Sequence, residues 1–249
     1  MKKLNLTLCL FAFILNCAAQ ATKTISNLVP PFYLEQYDVL KSDQNIRQGT
    51  YSLAMKFNNA PVTVGFYKNN KKDSLWCEYG NNKTRIAEGI YKDDEKLGIW
   101  TAYNDKGNVI SKYDYGKHEL VYFKQSKSDS TAKYVVVAGT DLVSTTLDRV
   151  PVIITGNTAM WRDVIQTVLY PSKARENGVD GTVIITFKID ETGKTSDYRV
   201  AQKLGSGCDE AALHAVETAT NRDWVPAVYK GKIVAVVYKM PVNFHLAQN

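Results

Sequence analysis

Apolar and polar residues alternate most cleanly near the carboxyl end. Val234, Val236, Tyr238, Met240, Val242, Phe244 and Leu246 fall on one side of an extended segment. Ile233, Ala235, Val237, Lys239, Asn243 and His245 fall on the other. That is the two-residue period of a β-strand. Pro241 sits inside the run with no N–H to donate, which places it at a sheet edge or a bulge and favours an open edge along this strand. The same period recurs at Val183, Ile185, Phe187 and Ile189, alternating with Thr182, Thr186 and Lys188. A turn over Asp190–Lys194 then returns the chain antiparallel through Ser196–Lys203. Ahead of this pair, Trp161, Val164, Ile165, Val168 and Leu169 recur at helical spacing and predict an amphipathic helix from about Ala159. Pro171 disfavours helical geometry at Tyr170, and a further turn through Ala174 ends at Gly178, a natural left-handed cap. Asp209 is placed to cap a second helix through its first-turn N–H groups, with Ala212, Leu213, Val216 and Ala219 facing inward.

The middle of the chain repeats itself. Gly65-Phe-Tyr67-Lys68 matches Gly89-Ile-Tyr91-Lys92, Leu75-Trp76 matches Ile99-Trp100, Tyr79 matches Tyr103, and Arg85-Ile86 matches Val109-Ile110, each 24 positions on. A decayed copy continues through Tyr113–Lys117, and Gly49-Thr-Tyr51 fits an earlier one. Each unit is a β-hairpin: a Gly-aromatic-Tyr strand, a polar turn and a Trp-x-x-Tyr strand. Trp76 and Tyr79 cannot share a strand face at that spacing, so a bulge is expected between them. One hairpin cannot bury its aromatic face alone, so stacked copies should form an elongated sheet with a Trp/Tyr stripe. The stripe reads first as core and secondly as a ligand or protein face. Sugar stacking is the weaker alternative, since no acidic and amide cluster accompanies the rings in sequence. Lys124–Lys133, rich in Ser, Lys and Asp, reads as a linker, and Tyr134-Val-Val-Val-Ala138 as a short strand.

Composition changes this picture little. Hydrophobic residues make up 45% of the 249, enough for a core in each of two modules, and 15 Tyr against 8 Phe suits half-buried strands. A net charge of +6 without a basic block gives no nucleic-acid track. Lys2-Lys3, the apolar Leu4–Leu15 and Ala19-Gln-Ala21 read as a cleaved export signal over residues 1–21. The alternative is a lipoprotein anchored through Cys17, since Ile14-Leu-Asn-Cys17 loosely resembles a lipidation box. Cleavage after Ala21 removes Cys9 and Cys17 and leaves Cys77 and Cys208, expected as buried free thiols.

The landmark series Tyr170-Pro171, Gly178, Gly181, Gly193, Gly205, Cys208-Asp209, Ala212-Leu213, Trp224-Val-Pro226, Gly231 and Pro241-Val-Asn-Phe244 resembles the C-terminal domain of the TonB family. The hairpin units resemble the bacterial variant of MORN repeats, although Ser74 stands where the next copy has Gly98. Together these imply an α+β fold: a small antiparallel sheet packed against two helices, preceded by a β-hairpin repeat module. The expected division is a signal at 1–21, repeats at 46–124, a linker with a short strand at 125–146 and the TonB-like domain at 147–249. By resemblance, Trp224 is a core plug and the protein is periplasmic. It would bind a TonB-dependent outer-membrane transporter or another envelope protein by strand addition. The implied partner-binding residues are Ile233, Val234, Ala235, Val236, Val237, Tyr238 and Lys239, with Tyr170 as a flanking contact. A homodimer is the other partner considered, and a scaffold whose repeats bind the partner is the other function.

Two further expectations follow. A full transducer carries an uncleaved membrane helix and a proline-rich spacer, and the 7 Pro here are scattered, so a binder rather than a force transmitter is expected. His118, His214 and His245 form no metal-spaced motif, Cys208 and His214 face different ways, and Gly205-Ser-Gly207 is too small a phosphate cradle. No enzyme, catalytic residue, metal, cofactor or nucleic-acid partner is therefore expected.

Overall fold

The computed structural model describes residues 20–246 apart from 31 and 140. The expected export signal up to Ala19, with Cys9 and Cys17, lies outside the described residues. Nine strands run in chain order: β1 (Thr22–Val29), β2 (Tyr33–Leu40), β3 (Arg47–Met55), β4 (Pro61–Lys68), β5 (Lys71–Tyr79), β6 (Arg85–Lys92), β7 (Glu95–Tyr103), β8 (Val109–Asp114) and β9 (Glu119–Phe123). Each pairs antiparallel with the next, so the sheet order is the sequence order. The sheet takes in β1 and β2, which precede the repeat's first unit.

Glycine explains the repeat. On Gly65 an added Cβ would collide with the Trp76 ring, and on Gly89 with the Trp100 ring. The bare backbone of one strand is thus the seat of the indole on the next. Both indoles donate to the residue following that glycine: Trp76 Nε1 to Phe66 O at 3.2 Å and Trp100 Nε1 to Ile90 O at 3.3 Å. A ladder of rings results, with centroid steps of 5.3 Å from Tyr51 to Trp76, 5.8 Å to Tyr91, 5.2 Å to Trp100 and 6.1 Å to Tyr115. The β5–β6 register slips between Glu78 and Tyr79, which supplies the irregularity that the Trp-x-x-Tyr spacing demands. Ser74 in β5 and Gly98 in β7 both take positive φ where the register slips past Gly65 and Gly89, so that irregularity needs the conformation whichever residue fills it.

After α1 (Lys127–Thr131) comes the hairpin β10 (Tyr134–Ala138) and β11 (Asp141–Thr145), then β12 (Val152–Ile153), α2 (Asn157–Thr167), α3 (Ser172–Glu176), β13 (Gly181–Ile189), β14 (Thr195–Gln202), α4 (Cys208–Thr220), β15 (Trp224–Val225), β16 (Ala227–Tyr229) and β17 (Lys232–Phe244). The second sheet has the order β11-β10-β17-β13-β14, with β16 also on β17, while β12 pairs with β15. Val183, Ile185, Phe187 and Ile189 of β13 and Val236, Met240, Val242 and Phe244 of β17 are buried under α2 and α4. Trp224 plugs this core, its indole donating to Thr220 O at 3.0 Å. Cys77 and Cys208 are buried free thiols. Asp209 differs from the sequence expectation. It lies inside the first turn of α4 and accepts from Leu204 N and Gly205 N, so it ties down the loop before the helix instead of capping it.

The modules meet along the aromatic ladder. Trp100 packs with Val152, Ile154 and Val225. Arg162 of α2, with 5% of its side chain exposed, reaches Glu78 at 2.8 Å and the Tyr79 carbonyl at 2.9 Å. Arg222 contacts Glu78 at 3.4 Å and also pairs with Asp163. Asp223 takes Lys96 at 2.7 Å and the Tyr115 hydroxyl at 2.6 Å. Burial by itself would raise the Glu78 carboxyl, but Arg222 and Arg162 more than offset that and hold it below its ordinary value.

Two substitutions test these contacts. Gly89→Ala should cost about 1–3 kcal/mol in urea unfolding, because the added methyl overpacks the Trp100 seat, and it should change Trp100 emission. An unchanged midpoint would contradict that seating. Glu78→Ala should cost about 3 kcal/mol, the low end for breaking a buried pair, since Asp163 is left to serve two guanidinium groups. The folded Glu78 titrates below its unfolded value, so its contribution is complete above the unfolded carboxylate range and fades as pH falls through the folded one. A loss under about 0.5 kcal/mol, the surface-pair level, would contradict it.

Candidate functional site

β17 is a 13-residue strand, and its flanks are not used evenly. β13 pairs along it from Ile189↔Val236 to Gly181↔Phe244. β16 pairs with Lys232, Ile233 and Val234, and β10 with Ala235, Val236 and Val237 through Val137, Val136 and Val135. Val236 therefore has strands on both flanks. From Tyr238 to Phe244 only β13 is paired among the described residues. Pro241 falls in that stretch, opposite Ile184. A strand laid on the second flank of this segment finds main-chain groups that no described ladder uses, less the N–H that proline lacks.

Within the expected edge Ile233–Lys239, β10 of the linker hairpin occupies the second flank at Ala235–Val237. Of the expected strand residues, Tyr238 and Lys239 alone lie beyond both β16 and β10. Tyr238 turns its ring to the core, 5.4 Å from Phe187 and 5.7 Å from Trp224 between centroids, and 6.1 Å from Tyr134. Burial, then the neighbouring Tyr134 and Asp129, push its hydroxyl above the ordinary value. Lys239, Pro241 and Asn243 point to the exposed face.

Tyr170 lies at the end of this segment rather than along Ile233–Lys239. Its ring meets Phe244 edge-on at 5.5 Å, and its hydroxyl donates to the Val179 carbonyl. α2 has already ended at Thr167; Pro171 caps the start of α3 and keeps Tyr170 out of helical geometry, with its ring against the last residue of β17. Tyr170 thereby fixes the far end of the uncovered flank.

The sequence reading did not single out Met240–Phe244 as the uncovered part, nor β10 as the cover. Tyr134–Ala138 is as Val-rich as Ile233–Val237, but such composition marks a strand without naming its partner. The sheet's own outer edges are β11 and β14, and on β11 Leu142 is 68% exposed. No group of three His, Cys, Asp or Glu side chains converges as metal ligands would among the described residues. No helix among them is long and apolar enough to cross a membrane.

Comparison with known proteins bears on this C-terminal sheet. Residues 166–246 match the family described as Gram-negative bacterial TonB protein C-terminal. No curated protein matches the chain. Among solved structures, two solution structures of the Helicobacter pylori TonB C-terminal domain align with it. One has 22% identity over 36% of this chain and 80% of that one, with a TM-score of 0.29. The other has 23% identity over 35% and 89%, with a TM-score of 0.27. A crystal structure of S. aureus TarM aligns at 12% identity over 39% of this chain and 20% of that one, with a TM-score of 0.24. TM-scores this low carry no weight, so the assignment rests on the family match. By that match, residues 166–246 belong to the TonB C-terminal family.

Proposed function

We propose that this is a periplasmic TonB-type binding protein that takes an extended segment of an outer-membrane transporter, or of another envelope protein, as an added strand on β17. The observation that carries the reading is the flank of Tyr238–Phe244, unpaired among the described residues beyond the point where β10 ends. Main-chain hydrogen bonds would supply the affinity, and alternate side chains of the incoming strand would lie beside Lys239, Pro241 and Asn243 and supply selectivity. Membership of residues 166–246 in the TonB C-terminal family supports a role in envelope energy transduction or partner binding.

Energetics favour entry at Tyr238–Phe244 over replacement of β10. Removing β10 exposes Val136, which is 2% exposed in the core, at a cost of about 1.5–3 kcal/mol. Losing the hydrogen bonds around three ladder pairs adds about 1–3 kcal/mol more. A partner that had to evict β10 would lose roughly a thousandfold in affinity at the middle of that range. Addition beyond Val237 avoids the loss. The scaffold alternative, in which the repeats hold the partner, is less well supported, because the ladder of the repeat sheet already faces the C-terminal module.

The mode is testable with an eight-residue synthetic peptide copied from the periplasmic N-terminus of a TonB-dependent transporter. N-methylation of alternate residues on its pairing edge should weaken binding to the full chain at least tenfold. Val136→Ala should leave the affinity within about twofold. Equal binding of methylated and parent peptides would rule out strand addition. A tenfold gain with Val136→Ala would instead mean that the partner displaces β10.

A further inference from the structure

The aromatic ladder is covered unevenly. Around Trp100 the C-terminal module closes on it through Val152, Ile154 and Val225. Toward Trp76 the modules part around a cavity of about 390 Å³. The rings of Trp76, Tyr91 and Trp100 line one side, and Arg162, Gln166 and Arg222 line the other. That volume lies in the range of small-molecule sites, which are typically apolar with a few placed polar groups.

Charge in the cavity is out of balance at one point. Three cations ride on the ladder: Arg47 is 4.1 Å from the Tyr37 centroid, Lys72 4.4 Å from Trp76, and Lys96 5.2 Å from Trp100. Arg47 has Glu35 at 3.8 Å and Lys96 has Asp223 at 2.7 Å. Lys72, at the position equivalent to Lys96 one repeat earlier, makes no ion pair with any described residue. The two acids lining the cavity, Glu78 and Asp163, are already held by Arg162 and Arg222. The aromatic faces solvate the Lys72 ammonium in part, yet burial still pulls its pKa below the ordinary value. On the opposite wall, Gln166 Nε2 is buried without a hydrogen-bond partner. A buried donor left unmet costs about 1–3 kcal/mol, and a turn of the Gln166 amide into the cavity would let a ligand oxygen recover it.

We propose that this intermodule cavity is a binding site for a small ring-bearing monocarboxylate, with its carboxylate on Lys72, an oxygen accepting from Gln166, and its ring among Trp76, Tyr91 and Trp100. One unmatched cation selects a single negative charge. A neutral ring would leave Lys72 uncompensated, and a dianion would overcharge a site whose other cations are spent. Uronic acids and aromatic acids share this chemistry. The site needs both modules, since the aromatic side comes from the repeat sheet and the amide from α2. It does not depend on what β17 binds.

Calorimetric titration of the full chain with glucuronate, glucose, benzoate and inorganic phosphate tests the proposal. At least one of the two carboxylates should bind, with the indole N–H resonances of Trp76 and Trp100 shifting as it does. For a sugar site, glucose should bind at least tenfold more weakly than glucuronate. Lys72→Gln should weaken the carboxylate at least tenfold, Lys72→Arg should retain it within about threefold, and Gln166→Leu should weaken it severalfold. Unfolding midpoints of the variants would separate lost binding from lost folding. The proposal is overturned if neither carboxylate binds with a Kd of about 1 mM or tighter, roughly −4 kcal/mol. It is equally overturned if Lys72→Gln folds and binds unchanged, or if phosphate matches the better carboxylate.

Discussion

Buried backbone groups of β17 must find partners, and the way the chain meets that demand organises the C-terminal module. β13 serves one flank from Val236 to Phe244, β10 serves the other at Ala235–Val237, and β16 pairs with Lys232–Val234. The residues facing inward, Val236, Met240, Val242 and Phe244, then fall under α2 and α4 and become the core. Pro241 lies where β10 has already ended, so its missing N–H disrupts no described second ladder. What is left over is a short run of main chain from Tyr238 to Phe244. The proposed function is a use for that remainder.

The repeat sheet contributes in a different way. Its hairpins are local, each pairing with the next, and glycine opposite indole gives each unit the same seat. Docking it to the C-terminal module takes two kinds of contact. Trp100 against Val152, Ile154 and Val225 removes apolar surface from water. The Glu78, Arg162, Asp163 and Arg222 group fixes the orientation at a desolvation cost that its mutual pairing offsets. Between these two contacts lies the cavity with Lys72. The same geometry that joins the modules therefore leaves a pocket between them.

Much of this fold was legible in the sequence. Alternation marked β13 and β17 because each has one buried face, and the 24-residue identity marked β4 to β7 because a repeated glycine and tryptophan must stack. Pro171 and Gly178 marked the break and end of the first helical region. The destination of β10 was not legible. Tyr134-Val-Val-Val-Ala138 is apolar without alternation, and nothing local says which strand it joins, so the cover over Ala235–Val237 came only with the tertiary structure. β1 and β2 lie outside the clear repeat, and they are strands through their backbone ladders with each other and with β3. The ion group was hidden for a related reason: Arg162 and Arg222 lie 84 and 144 residues from Glu78, and no spacing rule links them. Asp209 looked like a cap because its composition fitted, whereas its oxygen serves the loop behind it.

Amide hydrogen exchange on the full chain, with and without a saturating extended peptide, tests the central claim most directly. The account predicts that binding slows exchange between Tyr238 and Phe244 while Ala235–Val237 and the β10 amides keep their protection. Protection gained along β11 or β14, or nowhere in the C-terminal sheet, would contradict it.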